Sequence, residues 1–249
     1  MKTRGQIRNV EGRKDITDGK EKHPIPVKCP STIPLPKFQY IKSHSKGRAF
    51  YPPADRLPMK GCECVDGKCN SNKCECVKYF AGTKEILECG DKCECDENCG
   101  NRKFTNGILP SMFLQFGENS YGFGVFAAEN IAKGTFVASY VGEIREVKPF
   151  LTVEENDYIY EIASKVSRCD VEIDASKKGN IARFFNHCCK PNLETKIAYF
   201  GQDRMPYPVF LAKTNIRKKQ EFTIDYGDYY FTNKGIACQC EVCNDSDAD

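Results

Sequence analysis

The densest chemical feature of the sequence is a run of nine cysteines between residues 62 and 99. Because nine is odd, a framework of disulfides would leave one thiol unpaired. Three tetrahedral zinc ions need twelve metal–sulfur bonds, which nine thiolates supply when six bind one ion and three bridge two. The run therefore predicts a three-zinc cluster held by Cys62, Cys64, Cys69, Cys74, Cys76, Cys89, Cys93, Cys95 and Cys99.

A disulfide-rich secreted module is the alternative explanation for such a run of cysteines. Residues 1–22 argue against secretion, because they are charged throughout and contain no apolar stretch of the signal-peptide type. Lysines and arginines interspersed through the run can also offset the negative charge of a zinc–thiolate core. No apolar run approaches the length of a membrane span, so we expect no membrane contact.

Three further segments combine polar and aromatic side chains in a way that suits ligand binding. In residues 121–125, two glycines one residue apart let the backbone approach a ligand closely. Residues 179–192 place an arginine, asparagines, a histidine and two cysteines among apolar residues. Polar groups buried in this way must hydrogen-bond to the backbone or to a ligand. Residues 221–231 are a β-type run that leads into an aromatic cluster.

Three more cysteines, Cys238, Cys240 and Cys243, stand near the C-terminus. They are one ligand short of a tetrahedral zinc site, so a fourth must come from another part of the chain. The cysteines and histidines lack the spacing of zinc fingers, which argues against a DNA-binding zinc module.

Short β-type runs punctuated by glycine must position these groups. They lie at residues 113–116, 135–144, 158–162, 171–173, 196–200, 209–212 and 222–224. We therefore predict a mainly β fold, preceded by a disordered basic arm at 1–28 and a proline-rich extended segment at 29–58. Residues 1–48 carry twelve Lys and Arg against four Asp and Glu. Such an arm is either a solvated terminus or a contact for nucleic acid.

In their order and spacing, these segments resemble the SET-domain lysine methyltransferases that methylate lysine 9 of histone H3. The resemblance implies a pre-SET zinc module at 59–107, a SET domain at 108–231, and a post-SET region with an acidic tail at 232–249. It also implies short curled sheets with a pseudoknot, three zinc ions in the pre-SET module and one in the post-SET region. There the fourth post-SET ligand is Cys189.

The same resemblance implies a site for S-adenosylmethionine and a channel for the substrate lysine. Tyr226 and Tyr140 would be catalytic, at the inner end of that channel, and its wall would include Ile224, Tyr230 and Phe231. The cofactor would be bound by Tyr121, Gly122, Phe123, Tyr158, Arg183, Asn186 and His187.

The chain departs from the family pattern at several positions. Phe123 replaces a tryptophan, Ser139 stands where an acidic residue usually precedes Tyr140, and the post-SET cysteine spacing is short. Ile224 occupies the position where phenylalanine or tyrosine governs how many methyl groups are added. Because isoleucine has no hydroxyl and less bulk than phenylalanine, we predict di- or trimethylation.

The partners implied are the histone H3 tail and chromatin, which place the protein in the nucleus on the chromosome. The basic arm adds nucleic acid as a further expected partner. Two other functions stay open from the sequence. One is methylation of a different histone lysine or of a non-histone protein, and the other is an inactive SET fold that acts as a chromatin scaffold.

Overall fold

Many short strands and a few short helices make up the described part of the chain. The computed structural model describes residues 15–47, 60–65, 69–70, 73–117, 122–147, 157–164, 169–201 and 204–246. The strands are β1 (Val27–Lys28), β2 (Gln39–Tyr40), β3 (Ser45–Lys46), β4 (Glu85–Leu87), β5 (Met112–Phe116), β6 (Phe123–Ala127), β7 (Phe136–Ser139), β8 (Glu143–Glu146), β9 (Ile159–Ser164), β10 (Cys169–Asp174), β11 (Lys178–Gly179), β12 (Asn186–His187), β13 (Leu193–Phe200), β14 (Met205–Ala212) and β15 (Thr223–Ile224). The helices are α1 (Glu75–Tyr79), α2 (Asp228–Lys234), α3 (Glu241–Ser246) and a 3₁₀ turn at Ile181–Phe184.

The strands form several small sheets instead of one large one. Three of these sheets have the orders β1-β5-β6, β3-β8-β10-β9 and β4-β13-β14-β7. Two further pairs, β11-β2 and β12-β15, join segments that are far apart in sequence. This mainly β architecture with few helices confirms the predicted fold class. None of the helices within the described ranges is long and apolar enough to cross a membrane.

Two separate clusters of buried side chains hold the sheets together. The larger cluster is aliphatic and aromatic and includes Val125, Phe185, Phe210 and Phe222. The smaller cluster consists mainly of cysteines, with Phe80, Leu87 and Tyr199 among its few other buried apolar members. Because β4 pairs in parallel with β13, Leu87 and Tyr199 face each other in register and join the cysteine-rich region to the β domain.

Residues 15–28 do not form the flexible arm expected from the sequence. Strand β1 pairs in parallel with β5, and Ile16, Ile25 and Val27 are buried in the larger cluster. The Asp15 carboxylate accepts hydrogen bonds from the backbone of Thr17 and Ile25, both at 2.9 Å. The isolated apolar residues in this polar stretch therefore pack as anchors. The rest of the predicted arm, residues 1–14, lies outside the described residues.

The predicted run at 135–144 is divided into β7 and β8 by a turn at residues 140–142. Tyr140 N–H donates to the carbonyl of Pro208 at 2.8 Å, which continues the contact of β7 with β14. A Cβ at Gly142 would lie 2.5 Å from the carbonyl oxygen of Asp174, so only glycine fits where the chain turns. The turn buries the Tyr140 side chain in the core.

The packing of residues 15–28 predicts a loss of stability when Ile25 is truncated. We expect Ile25→Ala to lower the free energy of unfolding by about 2–5 kcal/mol, because it removes a buried side chain from a close-packed core. Ile108→Ala is the matched control, since Ile108 is about half exposed and should change stability by less than about 1 kcal/mol. Urea unfolding measures both, and equal stability of the two variants would mean that the segment is not docked.

Candidate active site and cysteine clusters

Two segments that are distant in sequence meet where β12 pairs with β15. In this parallel pair, Asn186 faces Thr223 and His187 faces Ile224. The Cys188 N–H continues the ladder by donating to the carbonyl of Ile224 at 3.0 Å. The β13–β14 hairpin lies between the two strands in sequence. The pairing therefore brings the predicted cofactor residues and the predicted catalytic Tyr226 to one place.

Arg183 is held just before β12 by the 3₁₀ turn. The Asn180 side chain caps this turn by accepting from the Ala182 N–H. The buried Arg183 guanidinium donates to the carbonyls of Ala175 (2.8 Å) and Ser176 (3.2 Å) and stacks 3.8 Å from the centroid of the Tyr158 ring. Arg183 and Tyr158, both predicted cofactor residues, are thus in direct contact.

Asn186 connects β12 to the strand that carries Phe123. Its side-chain amide donates to the carbonyl of Phe123 at 3.3 Å and to Oε1 of Glu221 at 2.7 Å. Gly122 precedes this strand with φ at +75°, a conformation that favours glycine. Asn186 therefore contacts Phe123 directly. Arg183 is connected to Phe123 through Phe184, whose ring lies 6.2 Å from that of Phe123. Tyr121, predicted beside them, lies outside the described residues.

A cavity of about 280 Å³ opens next to this junction. Its lining combines aromatic rings, acidic groups and Arg183, so it suits a long cationic side chain with an apolar stem. The lining residues are Tyr140, Asp157, Ile159, Tyr160, Glu161, Ala182, Arg183, Phe185, Ile224, Asp225, Tyr226, Tyr229 and Tyr230.

Tyr140 and Tyr226, the predicted catalytic pair, both line this cavity and are held by backbone carbonyls. The Tyr140 hydroxyl donates to the carbonyl of Tyr158 at 2.9 Å, and the Tyr226 hydroxyl donates to that of Phe185 at 2.7 Å. Burial raises the pKa of both phenols above their ordinary range, so both stay neutral at physiological pH. Each phenol oxygen keeps lone pairs that can accept from a ligand in the cavity.

His187 fixes the backbone of Tyr226 and packs against Phe231. Its Nδ1 accepts from the Tyr226 N–H at 3.1 Å, and its ring meets that of Phe231 edge-on at 4.6 Å. Phe231 was predicted as part of the channel wall, but it is not among the residues that line the described cavity. It lies on α2 and braces His187, whereas its neighbour Tyr230 lines the cavity and stacks edge-on against Tyr226 at 4.8 Å.

Three residues at the site were not singled out from the sequence. Tyr160 and Asp157 line the cavity, and Glu221 hydrogen-bonds to Asn186. Tyr160 lies on β9, and the sequence pattern of this strand alone did not predict which side of the sheet its side chain faces. Glu221 directly precedes Phe222, which is fully buried. An acidic residue next to an apolar strand was therefore the one feature of the sequence that could have drawn attention to Glu221.

Cys238, Cys240 and Cys243 lie around Cys189, the fourth ligand that the resemblance implied. The sulfur of Cys189 lies 3.7 Å from that of Cys238 and 3.5 Å from that of Cys243, and the sulfurs of Cys240 and Cys243 are 3.8 Å apart. A tetrahedral Zn²⁺ site with Zn–S bonds of about 2.3 Å separates its sulfurs by roughly 3.8 Å. A disulfide requires about 2.05 Å. The spacing therefore fits metal binding.

His187 also comes within reach of this group, because its Nε2 lies 3.3 Å from the Cys189 sulfur. Together with Cys189, Cys238 and Cys240 it forms a second set that could hold an ion. Cys243 is the better fourth ligand, because its sulfur contacts those of Cys189 and Cys240 at tetrahedral spacing. His187 instead already supports Tyr226.

The cysteines between residues 62 and 99 show the same spacing. The sulfur of Cys62 is 3.7 Å from that of Cys69 and 3.8 Å from that of Cys89, and those of Cys76 and Cys93 are 3.7 Å apart. Every cysteine whose side chain the structure describes is a free thiol. Three overlapping sets could each hold an ion: Cys62, Cys69, Cys74 and Cys89; Cys62, Cys76, Cys89 and Cys93; and Cys69, Cys89, Cys95 and Cys99.

Comparison with known proteins gives the class to which this site belongs. Residues 122–227 match the SET domain. The Arabidopsis thaliana histone-lysine N-methyltransferase, H3 lysine-9 specific SUVH5, is 32% identical over 85% of this chain, and the human histone-lysine N-methyltransferase EHMT1 is 29% identical over 91%. The crystal structure of KRYPTONITE in complex with mCHH DNA, H3(1-15) peptide and SAH aligns over 88% of this chain and 48% of that chain, with a TM-score of 0.72 and 30% identity.

Residues 122–227 of the chain are therefore a SET domain. Both curated relatives named above are histone-lysine N-methyltransferases. The chain spans only 28% of the SUVH5 sequence and 19% of the EHMT1 sequence. The similarity therefore concerns only part of those larger proteins.

Proposed function

We propose that this protein is an S-adenosylmethionine-dependent protein-lysine methyltransferase that acts on lysine 9 of histone H3. The observation that carries the proposal is the convergence of Tyr140, Tyr226 and Arg183 on one cavity beside Asn186, in a SET domain. A relative named as H3 lysine-9 specific and a similar structure holding SAH and an H3 peptide support the choice of cofactor and substrate.

The cofactor side of the site is built from Arg183, Asn186, His187, Phe123 and Tyr158. S-adenosylmethionine supplies the methyl group when it is bound there. The guanidinium of Arg183 and the amide of Asn186 offer a hydrogen-bond donor and an acceptor for the ends of an amino-acid moiety. Phe123 keeps an aromatic ring on this side, and Gly122 leaves open space beside its α-carbon.

The lysine side is the cavity in which Tyr140 and Tyr226 present their hydroxyl oxygens. The attacking amine must be neutral, yet lysine in water has a pKa of about 10.4. Removal from water in a largely aromatic cavity disfavours the charged form, as does the positive sulfonium nearby. The neutral phenols can then orient the amine, and holding the reactants in line removes several kcal/mol from the barrier.

We also propose that the product is di- or trimethyl-lysine. Ile224 is buried and lines the cavity close to Tyr226 in sequence and in space. It has no hydroxyl that could hold a water molecule beside the amine, so the additional methyl groups meet an apolar surface. Unlike a tyrosine, it does not stabilise a monomethyl product by occupying that space with a hydrogen-bonded water.

For the cysteine clusters we propose four structural zinc ions. Cys189, Cys238, Cys240 and Cys243 hold one of them. The other three ions are held by the cysteines between residues 62 and 99. Cys89 belongs to all three sets of four described above, whereas Cys64, which packs against the same cluster, belongs to none of them. If Cys64 takes the place of Cys89 in the set that contains Cys74, each of the three ions has four sulfur ligands. Cys62, Cys69 and Cys89 then each bridge two ions, and the other six cysteines each bind one.

The substrate implies a place and partners for this protein. We propose that it works in the nucleus on chromatin, where methylated lysine 9 marks silenced regions. We also propose the domain limits expected from the sequence: a pre-SET zinc module at 59–107, a SET domain at 108–231 and a post-SET region at 232–249. We also propose that basic residues near the N-terminus contact nucleic acid.

The substrate assignment predicts methyl transfer to an H3 tail peptide and loss of transfer when lysine 9 is replaced. We expect the purified protein to methylate residues 1–15 of H3 and to leave the same peptide with alanine at that position unmodified. Radiolabelled methyl transfer measures both. Equal labelling of the two peptides would exclude lysine 9 as the target, and labelling of neither would favour a scaffold role.

The hydrogen bond of Tyr226 predicts a separation of turnover from cofactor binding. We expect Tyr226→Phe to lower kcat by roughly 100-fold or more, because it removes the hydroxyl that faces the amine, with the Kd for S-adenosylmethionine within about threefold of wild type. Tyr79→Phe is the control, since Tyr79 lies on α1, is 44% exposed and is not among the residues that line the cavity. Near-normal kcat in Tyr226→Phe would contradict the assignment.

The isoleucine at position 224 predicts the methylation state. We expect mass spectrometry of the H3 peptide to show di- and trimethyl-lysine with the wild-type protein, because the cavity wall there is apolar. Ile224→Tyr should shift the product toward monomethyl-lysine. A wild-type product that stops at the monomethyl state would refute the argument.

The sulfur spacing predicts four zinc ions per chain. We expect elemental analysis to find four in the wild-type protein and three in Cys189→Ser, because that thiol contacts two other sulfurs of the post-SET group. Cys188→Ser is the matched control and should keep four. A wild-type count of three would mean that the short post-SET spacing does not close its site.

A further inference from the structure

Glu221 is a partly buried acid whose backbone is fixed at the point where three segments meet. It bridges to Phe126 on β6, and its carbonyl accepts from the Asn192 side chain at 2.7 Å. The N–H of the next residue, Phe222, donates to Val125 at 2.8 Å. Main-chain contacts on both sides thus leave the Glu221 side chain little freedom of position.

The Glu221 carboxylate lies directly against the α-carbon of Gly124. A Cβ at Gly124 would come within 2.2 Å of Glu221 Oε1 and 2.9 Å of Asn186 Nδ2. The second glycine of the Gly-x-Gly motif is therefore required by this carboxylate, and not by the close approach of a ligand that its spacing suggested. Gly124, Glu221 and Asn186 form one packed group.

The hydrogen bonds of Asn186 define which way its amide faces. Both of its contacts, the carbonyl of Phe123 and the carboxylate of Glu221, are with acceptors, so the nitrogen must point toward them. Its two amide hydrogens are then used, and Oδ1 points away from Glu221. Burial raises the pKa of Glu221, whereas the bond from Asn186 lowers it. In either protonation state, the carboxyl group retains an oxygen that can accept from Asn186.

We propose that Glu221 is a positioning residue, which locks the Asn186 amide with Oδ1 facing the cofactor. Oδ1 then accepts a hydrogen bond from a donor such as the ammonium group of the cofactor's amino-acid moiety. This inference rests on the proposed function, since it names the partner that Oδ1 binds. Without an acceptor at position 221, the Asn186 amide can rotate by half a turn. Its NH₂ group, a donor, then faces the ammonium group of the cofactor, which is also a donor.

The test compares an acceptor with an isosteric side chain that has none. Glu221→Gln keeps an oxygen at the same place, and Glu221→Leu removes it. Calorimetric titration with S-adenosylmethionine and with SAH should give Kd values within about threefold of wild type for Gln and at least about tenfold weaker for Leu. At saturating cofactor, kcat of the Leu variant should remain within about threefold. Glu194→Leu, a partly exposed acid on β13, is the control and should bind as wild type.

Two results would overturn the proposal while wild-type binding persists. Either the Leu variant binds as tightly as wild type, or the Gln variant is as weak as Leu, which would assign the effect to charge. If wild type binds neither cofactor nor SAH, the proposed function fails and this inference fails with it.

A reciprocal exchange covers the case in which Glu221→Leu does not fold. Asn186→Asp places two carboxylates in contact and should weaken cofactor binding at least about tenfold. Adding Glu221→Gln restores a donor–acceptor pair with the direction reversed, so the double variant should recover most of that loss. Failure of the double variant to bind better than Asn186→Asp would overturn the proposal.

Discussion

The pairing of β12 with β15 is the contact on which the site depends. Only two residues from each strand take part, so their own hydrogen bonds are too few to hold such a junction alone. The Asn192 side chain reinforces it by donating to the carbonyl of Glu221 and accepting from the N–H of Thr223. Beneath it, the buried rings of Phe185 and Phe222 pack 5.8 Å apart. A short ladder thus becomes rigid because polar and apolar contacts support it from both sides.

In the proposed function, the two sides of this junction bind different ligands. Asn186 offers hydrogen-bonding groups to the cofactor, whereas Ile224 and Tyr226 line the cavity for the substrate lysine, and Arg183 also lines that cavity. His187 joins them, since its Nδ1 accepts from the backbone of Tyr226. No cysteine is among the residues that line the cavity, and we propose that zinc bound by the cysteine clusters stabilises this arrangement from outside. Glu88 helps to connect the cysteines between residues 62 and 99 to the β domain. Its carboxylate accepts hydrogen bonds from the backbone N–H groups of Phe104 at 2.5 Å and of Thr105 at 2.9 Å.

Local patterns were sufficient to predict the mainly β class and most of the longer strands, because short apolar runs separated by glycine and polar residues indicate buried strands. Strand β6 and the two-residue strands other than β15 were not predicted. The cysteine sets and the Asn186–His187 segment were found because their residue types are rare in such density. Contacts between distant segments were not predictable in this way. Nothing near Glu221 in sequence indicates that its carboxylate would fill the space above Gly124, and nothing near Phe231 indicates that it would brace His187 instead of lining the cavity. Residues 15–28 are similar, because their anchors Ile16, Ile25 and Val27 are too widely spaced to show a period.

The central claim is that one junction places a cofactor and a substrate lysine side by side. A crystal structure of the protein with SAH and an H3 peptide tests it most directly. We predict that SAH contacts Arg183 and Asn186, with its sulfur facing a lysine amine held between Tyr140 and Tyr226. SAH bound elsewhere on the protein, or a lysine that enters without reaching these two hydroxyls, would contradict the account.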